Sequence, residues 1–110
     1  MTIDEIAAVC AAEFPEAVKH ASVADPRRGR IRLDLRDGSF LDIHQNTGGG
    51  YSYHRQRAAG IIRFNNAPHF DHIDSAPRHL HVGTEVRASN VRGVTEEDVR
   101  KVLQYVSGLL

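Results

Sequence analysis

Six of the seven histidines in this chain fall between residues 44 and 81. They are His44, His54, His69, His72, His79 and His81. Imidazoles titrate near neutral pH, so packing several together costs charge repulsion unless some stay neutral or meet an anion. Residues 27–92 also carry eleven Arg against six acidic residues, although the net charge of the chain is zero. This composition favours proton transfer, phosphate binding or metal binding, with a solvated arginine-rich surface as the plainer alternative.

Metal-independent cleavage of RNA is the first chemistry that these residue types support. Attack by a ribose 2′-hydroxyl needs a base for its proton and an acid for the departing 5′ oxygen, and two imidazoles supply both. The planar fork of arginine suits the charge that develops on the phosphate oxygens. The acid and base candidates are His54, His79 and His81, and the phosphate-binding candidates are Arg55, Arg57, Arg63 and Arg78. Tyr51 or Tyr53 is a candidate to stack on a base, although a place in the core is the stronger alternative for both.

A metal site is the second chemistry, on the spacing His69-x2-His72-x6-His79-x-His81. Neutral imidazole binds Zn²⁺ well, and three histidines with an open position would activate a water molecule. The spacing matches no familiar zinc signature, and the nearby acids form no recognised motif. We therefore rank this interpretation below RNA cleavage, and we predict no metal and no cofactor.

Length and composition exclude several other classes. With 110 residues, 41% of them hydrophobic and 25% charged, residues 1–110 are expected to form a single globular domain. The apolar runs are too short to cross a membrane, and the acidic N-terminus predicts no signal peptide, so a cytoplasmic location is expected. Cys10 is the only cysteine and lies on an apolar stripe, which argues against a disulfide and a thiol nucleophile. The glycine triplet at 48–50 is not followed by Lys and a helix, as a P-loop would be.

Helices are predicted at both ends of the chain. Thr2 with Glu5 fits a capping box, and apolar residues follow at helical spacing until Pro15, with one further turn expected after it. Thr95 with Asp98 repeats the capping pattern near the C-terminus. An apolar stripe then follows at Val99, Val102, Leu103, Val106 and Leu110.

Alternating apolar and polar residues between the helices predict strands at 30–36, 40–44, 51–57, 61–65 and 79–82. A two-residue Asp37-Gly38 loop would put the apolar residues of the first two strands on opposite faces. A three-residue loop that begins at Arg36 pairs Leu33 with Leu41 instead, so we predict that loop. The fold class is α+β: a single domain with an antiparallel meander of four to five strands and both helices on one face, in the order α-β-β-β-β-β-α.

Strand alternation then predicts which side chains share a face, because residues two apart point the same way. If the apolar residues of each strand point to the core, one set of polar residues points away from it. This set comprises His44, His54, Arg63, His79 and His81. The sequence thus predicts a sheet face rich in histidine and arginine.

Three sequence blocks resemble the TumE family, small proteins described as toxin components of prokaryotic toxin–antitoxin pairs. The blocks are Tyr51-Ser52-Tyr53-His54-Arg55-Gln56, Ile62-Arg63-Phe64-Asn65-Asn66-Ala67-Pro68-His69 and Pro77-Arg78-His79-Leu80-His81-Val82-Gly83. The resemblance draws attention to His54, Arg63, Asn66, His69, His79 and His81 as site residues. Asn65, Phe70, Arg78 and Leu80 depart from the family pattern, which would attenuate an activity that used those positions.

Together, the residues and the resemblance predict a toxin of a type II toxin–antitoxin system. It would be a metal-independent endoribonuclease with RNA as substrate and an adjacently encoded protein antitoxin as partner, and with no membrane partner. The alternatives are a module that binds nucleic acid or protein without catalysis, a regulatory partner, and the histidine-ligated hydrolase above.

Overall fold

The chain folds into two helices and seven strands in the computed structural model, which describes residues 1–57, 60–68 and 72–110, without the side chain of Arg57. The elements are α1 (Ile3–Glu13), β1 (Val18–Asp25), β2 (Arg30–Leu35), β3 (Phe40–Gln45), β4 (Tyr51–Arg57), β5 (Gly60–Asn65), β6 (His79–Val82), β7 (Glu85–Ala88) and α2 (Glu96–Ser107). Neither helix in these ranges is long and apolar enough to cross a membrane.

The strands form a single antiparallel sheet whose spatial order follows the chain, β1 to β7. The predicted α+β class and the meander are confirmed. The expected count of four to five strands is too low, because β1 and β7 extend the sheet at its two edges. The turn expected after Pro15 is present, because the N–H groups of Ala17 and Val18 both donate to the Phe14 carbonyl, and β1 begins directly after it at Val18.

Both helices begin where the sequence predicted. Thr2 and Glu5 form a capping box at α1, and Thr95 and Asp98 form one at α2, where each side chain satisfies a backbone N–H that lacks a helical partner. Phe14 follows the last residue of α1, and its N–H still donates to the Cys10 carbonyl.

The core lies between the two helices and one face of the sheet. Apolar residues of both helices pack with the inward-facing residues of β2 to β6. Ile6 and Cys10 from α1 and Val99, Val102, Leu103 and Val106 from α2 are buried there. We call the other side of the sheet, which neither helix covers, the open face. Because both helices pack on one face of the sheet, polar side chains of the strands lie on the open face.

The β2–β3 hairpin has the predicted three-residue connection. Leu33 lies opposite Leu41 and Ile31 opposite Ile43. Gly38 adopts a φ of 88°, a left-handed backbone conformation that side chains disfavour, and its N–H donates to the Leu35 carbonyl. This register fixes the alternation of the two strands, and with it the residues that reach the open face.

Candidate functional site

The strand register aligns polar side chains in rows across the open face, because directly opposed residues of an antiparallel pair share a face. His54 of β4 pairs with Arg63 of β5, and Arg63 pairs in turn with His81 of β6. We call these three residues the central row. The strands lie about 4.8 Å apart, so the two histidine backbones are separated by about 10 Å with Arg63 between them. The register therefore brings together three of the six predicted site residues.

Electrostatics within the central row favour neutral imidazoles. Burial lowers the pKa of His54, and the positive charge of Arg63 lowers it further, against the opposing effect of Asp42. Burial also lowers the pKa of His81, with additional contributions from His79 and Arg63. At pH 7 both rings are therefore predominantly uncharged, and each can accept a proton.

Arg63 carries the uncompensated charge of the row. Its side chain is half-buried, and no residue in the described ranges forms an ion pair or a hydrogen bond with its guanidinium group. Arg32, on the same face, is held instead by two hydrogen bonds to Asp42, at 2.9 and 3.2 Å, and stacks on the Phe40 ring. A half-buried cation without an acid is suited to bind an anion, because an anion restores the electrostatic stabilisation that water gives an exposed charge.

His54 also has an unsatisfied nitrogen. Its Nε2 is buried and has no hydrogen-bond partner among the described residues. Because this atom has no access to water, Nδ1 is the nitrogen left to meet a substrate. A buried polar atom without a partner is uncommon in folded proteins and recurs at catalytic positions.

His79 belongs to the same face but is not exposed. It pairs with Asn65 of β5, as the alternation predicted, yet the residue is only 1% exposed. Its Nδ1 lies 2.9 Å from the Pro77 carbonyl, and since a carbonyl can only accept, Nδ1 carries the proton. The His79 and His81 rings contact edge to face, with their centroids 4.7 Å apart. The predicted face of His79 is thus confirmed, although the residue is buried there and its ring packs against that of His81.

Asn66 connects two turns beside the row. Its Oδ1 accepts from the Tyr51 N–H at 3.1 Å, and its Nδ2 donates to the Gly49 carbonyl at 3.0 Å. The amide thus joins the end of β5 to the glycine turn between β3 and β4. Because both ends of this amide bond to the backbone, Asn66 has a structural role in holding the turn in place.

A cleft opens next to this connection. It has a cavity volume of about 530 Å³ and is lined by residues of the β3–β4 turn, the adjoining strands and the segment that leaves β5. We call it the end cleft. Its polar lining includes His44, Asn46, Ser52 and Asn65. Sequence reasoning missed the last three, although the alternation that selected His44 and His54 also places Ser52 and Asn65 on the open face.

Arg55 is not available to a substrate phosphate. The register pairs it with Leu41 and Ile62, which face the core, and the residue is only 2% exposed. Its Nη2 donates to Asp37 at 2.6 Å and its Nε to Ser39 at 3.2 Å. Hydrogen bonds that Ser39 donates to Asp37 lower the pKa of this carboxyl group to about 2. The hydrogen bond and the positive charge of Arg55 contribute further to this decrease. The prediction that Arg55 binds phosphate is therefore wrong, because its charge is already neutralised inside the protein.

The two tyrosines of β4 are core residues. Tyr51 and Tyr53 are buried, and their hydroxyls donate to the carbonyls of Val91 and Gly93. Burial raises the pKa of both, that of Tyr51 to about 12. Stacking of either ring on a base is excluded because no ring face is exposed.

The structure shows where two of the residues that depart from the family pattern lie in the sheet. Leu80 pairs with Phe64 and is buried on the core side, so an apolar residue suits that position. Asn65 lies on the open face, where it pairs with Ser52 and His79.

Part of the predicted site lies outside the described residues. This applies to His69, Phe70 and Asp71, and to the side chain of Arg57. Among residues 1–57, 60–68 and 72–110, no three His, Cys, Asp or Glu side chains are grouped so that they could hold a metal ion. His72, in particular, does not form such a group with His79 and His81. Burial raises the pKa of the Cys10 thiol to about 11, which disfavours the thiolate that a nucleophile needs.

The fold and the open face together define a small α+β domain whose uncovered sheet surface carries histidine and arginine side chains. A family model described as Toxin TumE matches residues 7–110. The match covers nearly the whole chain, which therefore belongs to this toxin family. The resemblance of the three sequence blocks is confirmed. Comparison with the curated proteins and with the solved structures gave no match.

Proposed function

We propose that this toxin is a metal-independent endoribonuclease whose active site is the central row. The observation that carries the proposal is Arg63, a half-buried and unpaired guanidinium group with His54 on one neighbouring strand and His81 on the other. A phosphodiester that binds Arg63 would have an imidazole on each side. This is the arrangement that attack by a 2′-hydroxyl requires.

The proposed reaction is a transesterification within the RNA chain. His54 takes the proton of the 2′-hydroxyl, the 2′ oxygen forms a bond to phosphorus, and the bond from phosphorus to the 5′ oxygen breaks. His81 gives a proton to that leaving oxygen. The products are a 2′,3′-cyclic phosphate and a 5′-hydroxyl, and Arg63 stabilises the charge that develops on the phosphate oxygens.

His81 must be protonated to act as the acid, although its pKa is lowered in the free protein. The bound phosphate supplies the missing favourable interaction, because a nearby negative charge raises the pKa of an imidazole. His54 is better suited to the base role, since burial and then the charge of Arg63 lower its pKa and favour the neutral ring. His79 and Asn66 act in this scheme as positioning residues for His81 and for the β3–β4 turn.

The biological setting follows from the family and the chemistry. Membership of a toxin family implies an antitoxin partner. We propose a type II system, in which a protein antitoxin inactivates the toxin, and a cytoplasmic location, where the RNA substrate is found. A neighbouring gene that encodes a small DNA-binding protein would support the type II assignment.

Cleavage of total RNA in the presence of EDTA tests the proposed activity. The wild type, His54→Ala, His81→Ala and a His79→Ala, His81→Ala double variant are compared at equal concentration. Cleavage by the wild type and loss in the variants supports the central row. Equal cleavage by all proteins would discard it, and activity that zinc restores after chelation would favour a metal-dependent hydrolase.

A second candidate is a module that binds RNA without cutting it. The observation in its favour is the burial of His79 and of His54 Nε2, which leaves few imidazole nitrogens within reach of a substrate. This candidate predicts an affinity that falls linearly with salt on logarithmic scales and no covalent product.

A further inference from the structure

The end cleft holds hydrogen-bonding groups whose polarity is fixed by the backbone. Asn46 Oδ1 accepts from the N–H groups of Gly48 and Gly50, at 3.0 and 2.8 Å. Asn65 Oδ1 accepts from the Ala67 N–H at 3.1 Å. A backbone N–H can only donate, so these contacts determine which end of each amide is oxygen.

The nitrogen ends of both amides are consequently donors. Within the described part of the chain, neither Nδ2 has a hydrogen-bond partner, and both residues line the cleft. The Ser52 hydroxyl and the His44 ring, which also line it, have no partner there either. Two of the residues that line the cleft therefore carry N–H₂ donors without a partner in the described part of the chain.

The position of the cleft relative to the central row suggests its occupant. Ser52 and Asn65 are opposed across β4 and β5, two residues along from the opposed His54 and Arg63. Two residues of a strand span about 7 Å, which is within the reach of one nucleotide. A base attached beside a phosphate at Arg63 would arrive at the cleft.

We propose that the end cleft is a base-binding subsite that prefers keto bases, guanine or uracil, over adenine and cytosine. Keto oxygens accept hydrogen bonds from the Asn46 and Asn65 amides, whereas the amino groups of adenine and cytosine would face them donor to donor. A desolvated donor without an acceptor is unfavourable, so a mismatched base is disfavoured. The inference rests on the proposed function for its substrate class, RNA.

Binding of RNA analogues that cannot be cut tests the subsite apart from catalysis. The probes are 2′-fluoro tetranucleotides of uridine, inosine, adenosine or cytidine, which lack the attacking 2′-hydroxyl. Inosine offers the same keto and ring-nitrogen acceptors as guanosine. The wild-type full chain should bind the uridine and inosine probes about 5- to 100-fold more tightly than the other two, the discrimination expected of one good base contact.

Asn65→Asp and Asn46→Asp are the informative variants. Each keeps the oxygen that accepts from the backbone and replaces only the N–H₂ donor with an acceptor. The keto preference should fall at least fivefold in either variant. Asn90→Asp, at an exposed position outside the cleft and the open face, adds the same charge and should leave the preference unchanged.

The outcomes separate this inference from the nuclease proposal. Equal affinities for the four probes, or a preference that both cleft variants retain, would overturn the inference, as would the absence of binding. Ribonucleotide versions of the probes measure cleavage in parallel. Binding preference without cleavage supports the subsite and contradicts only the nuclease, whereas cleavage without base preference contradicts only the subsite.

Discussion

Arg63 lies directly opposite His54 across the β4–β5 ladder, where burial lowers the pKa of that histidine and the positive charge of Arg63 lowers it further. Asp42 neutralises Arg32 through two hydrogen bonds, whereas no carboxylate among the described residues bonds to Arg63. A guanidinium that has no partner in the described chain and an imidazole that remains neutral are thus held side by side on a rigid sheet. Such a pair is suited to bind an anion and to take up a proton at adjacent positions, which is the basis of the proposed catalysis.

Replacement of Arg63 should impair cleavage more than it impairs folding. Arg63→Gln removes the positive charge, and the rate should fall about 10²- to 10³-fold, as when one group that stabilises a developing oxyanion is lost. Arg63→Lys keeps the charge without the planar fork and should retain intermediate activity. The measurement is kcat/KM on a fluorescent RNA oligonucleotide in EDTA.

Arg92→Gln is the matched control, because Arg92 is an exposed arginine immediately before the segment that caps α2. It makes the same change of charge and should cut RNA at the wild-type rate. If Arg92→Gln and Arg63→Gln lose activity equally, general electrostatic attraction explains the effect and Arg63 has no special role.

The pH dependence of cleavage should reflect the lowered pKa values of both histidines. In a mechanism with one neutral and one protonated imidazole, kcat/KM is greatest between the pKa values of the free enzyme. Both are lowered from 6.5, so the optimum of kcat/KM should lie on the acidic side of pH 6.5. The optimum of kcat should be higher, because bound phosphate raises the pKa of the histidines. An optimum of kcat/KM above pH 7.5 would contradict the assigned pair.

Folding stability should also decrease with acid through the same two histidines. Their pKa is lower in the folded protein than in the unfolded chain, so below pH 6.5 the unfolded chain binds more protons. The free energy of unfolding is therefore highest above pH 6.5 and falls as the pH is lowered through the folded-state pKa values. Urea unfolding at pH 7.5 and pH 5.5 measures this difference.

His54→Gln should reduce that pH dependence, since glutamine does not titrate. His20→Gln, at an exposed position on β1, is the control for loss of any histidine. A pH dependence that is identical in the wild type and His54→Gln would exclude His54 as a contributor.

The buried ion pair of Arg55 predicts a strong effect on stability. Asp37→Ala leaves the Arg55 guanidinium buried without its carboxylate, and the cost should be about 3 kcal/mol, the lower end for breaking a buried pair, because Asp37 is partly accessible to water. Glu85→Ala breaks the exposed pair with Arg87 and should have a much smaller effect. Chemical unfolding of both variants measures the difference, and equal losses would contradict a specific role for the buried pair.

Local rules predicted the central part of the fold well. The capping boxes of Thr2 and Thr95 involve residues three apart, and the β2–β3 loop follows from the alternation on either side of Gly38. These features depend on short-range geometry that the sequence displays directly. The edge strands were missed because β1 exposes residues on both faces and β7 has no buried residue, so neither shows clean alternation.

The candidate site was predictable only in part. Alternation placed His54, Arg63 and His81 on one face, and the same rule applied to Tyr51 and Tyr53 also places Arg55 inward with them. The burial of His79 could not be predicted, since it depends on how the preceding segment returns to the sheet. The end cleft depends likewise on the meeting of two turns that are distant in sequence, which Asn66 joins.

Attack by the 2′-hydroxyl is tested most directly with two DNA oligonucleotides, one that contains a single ribonucleotide and one that lacks it, each incubated with the protein in EDTA. We expect a single cut on the 3′ side of that ribonucleotide, with a 2′,3′-cyclic phosphate and a 5′-hydroxyl as the new ends. The same cut should be reduced about 10²- to 10⁴-fold in His54→Ala and in His81→Ala, as expected for loss of a general acid or base. A 5′-phosphate product, or cleavage of the strand that lacks the ribonucleotide, would contradict attack by the 2′-hydroxyl and with it the role of the central row.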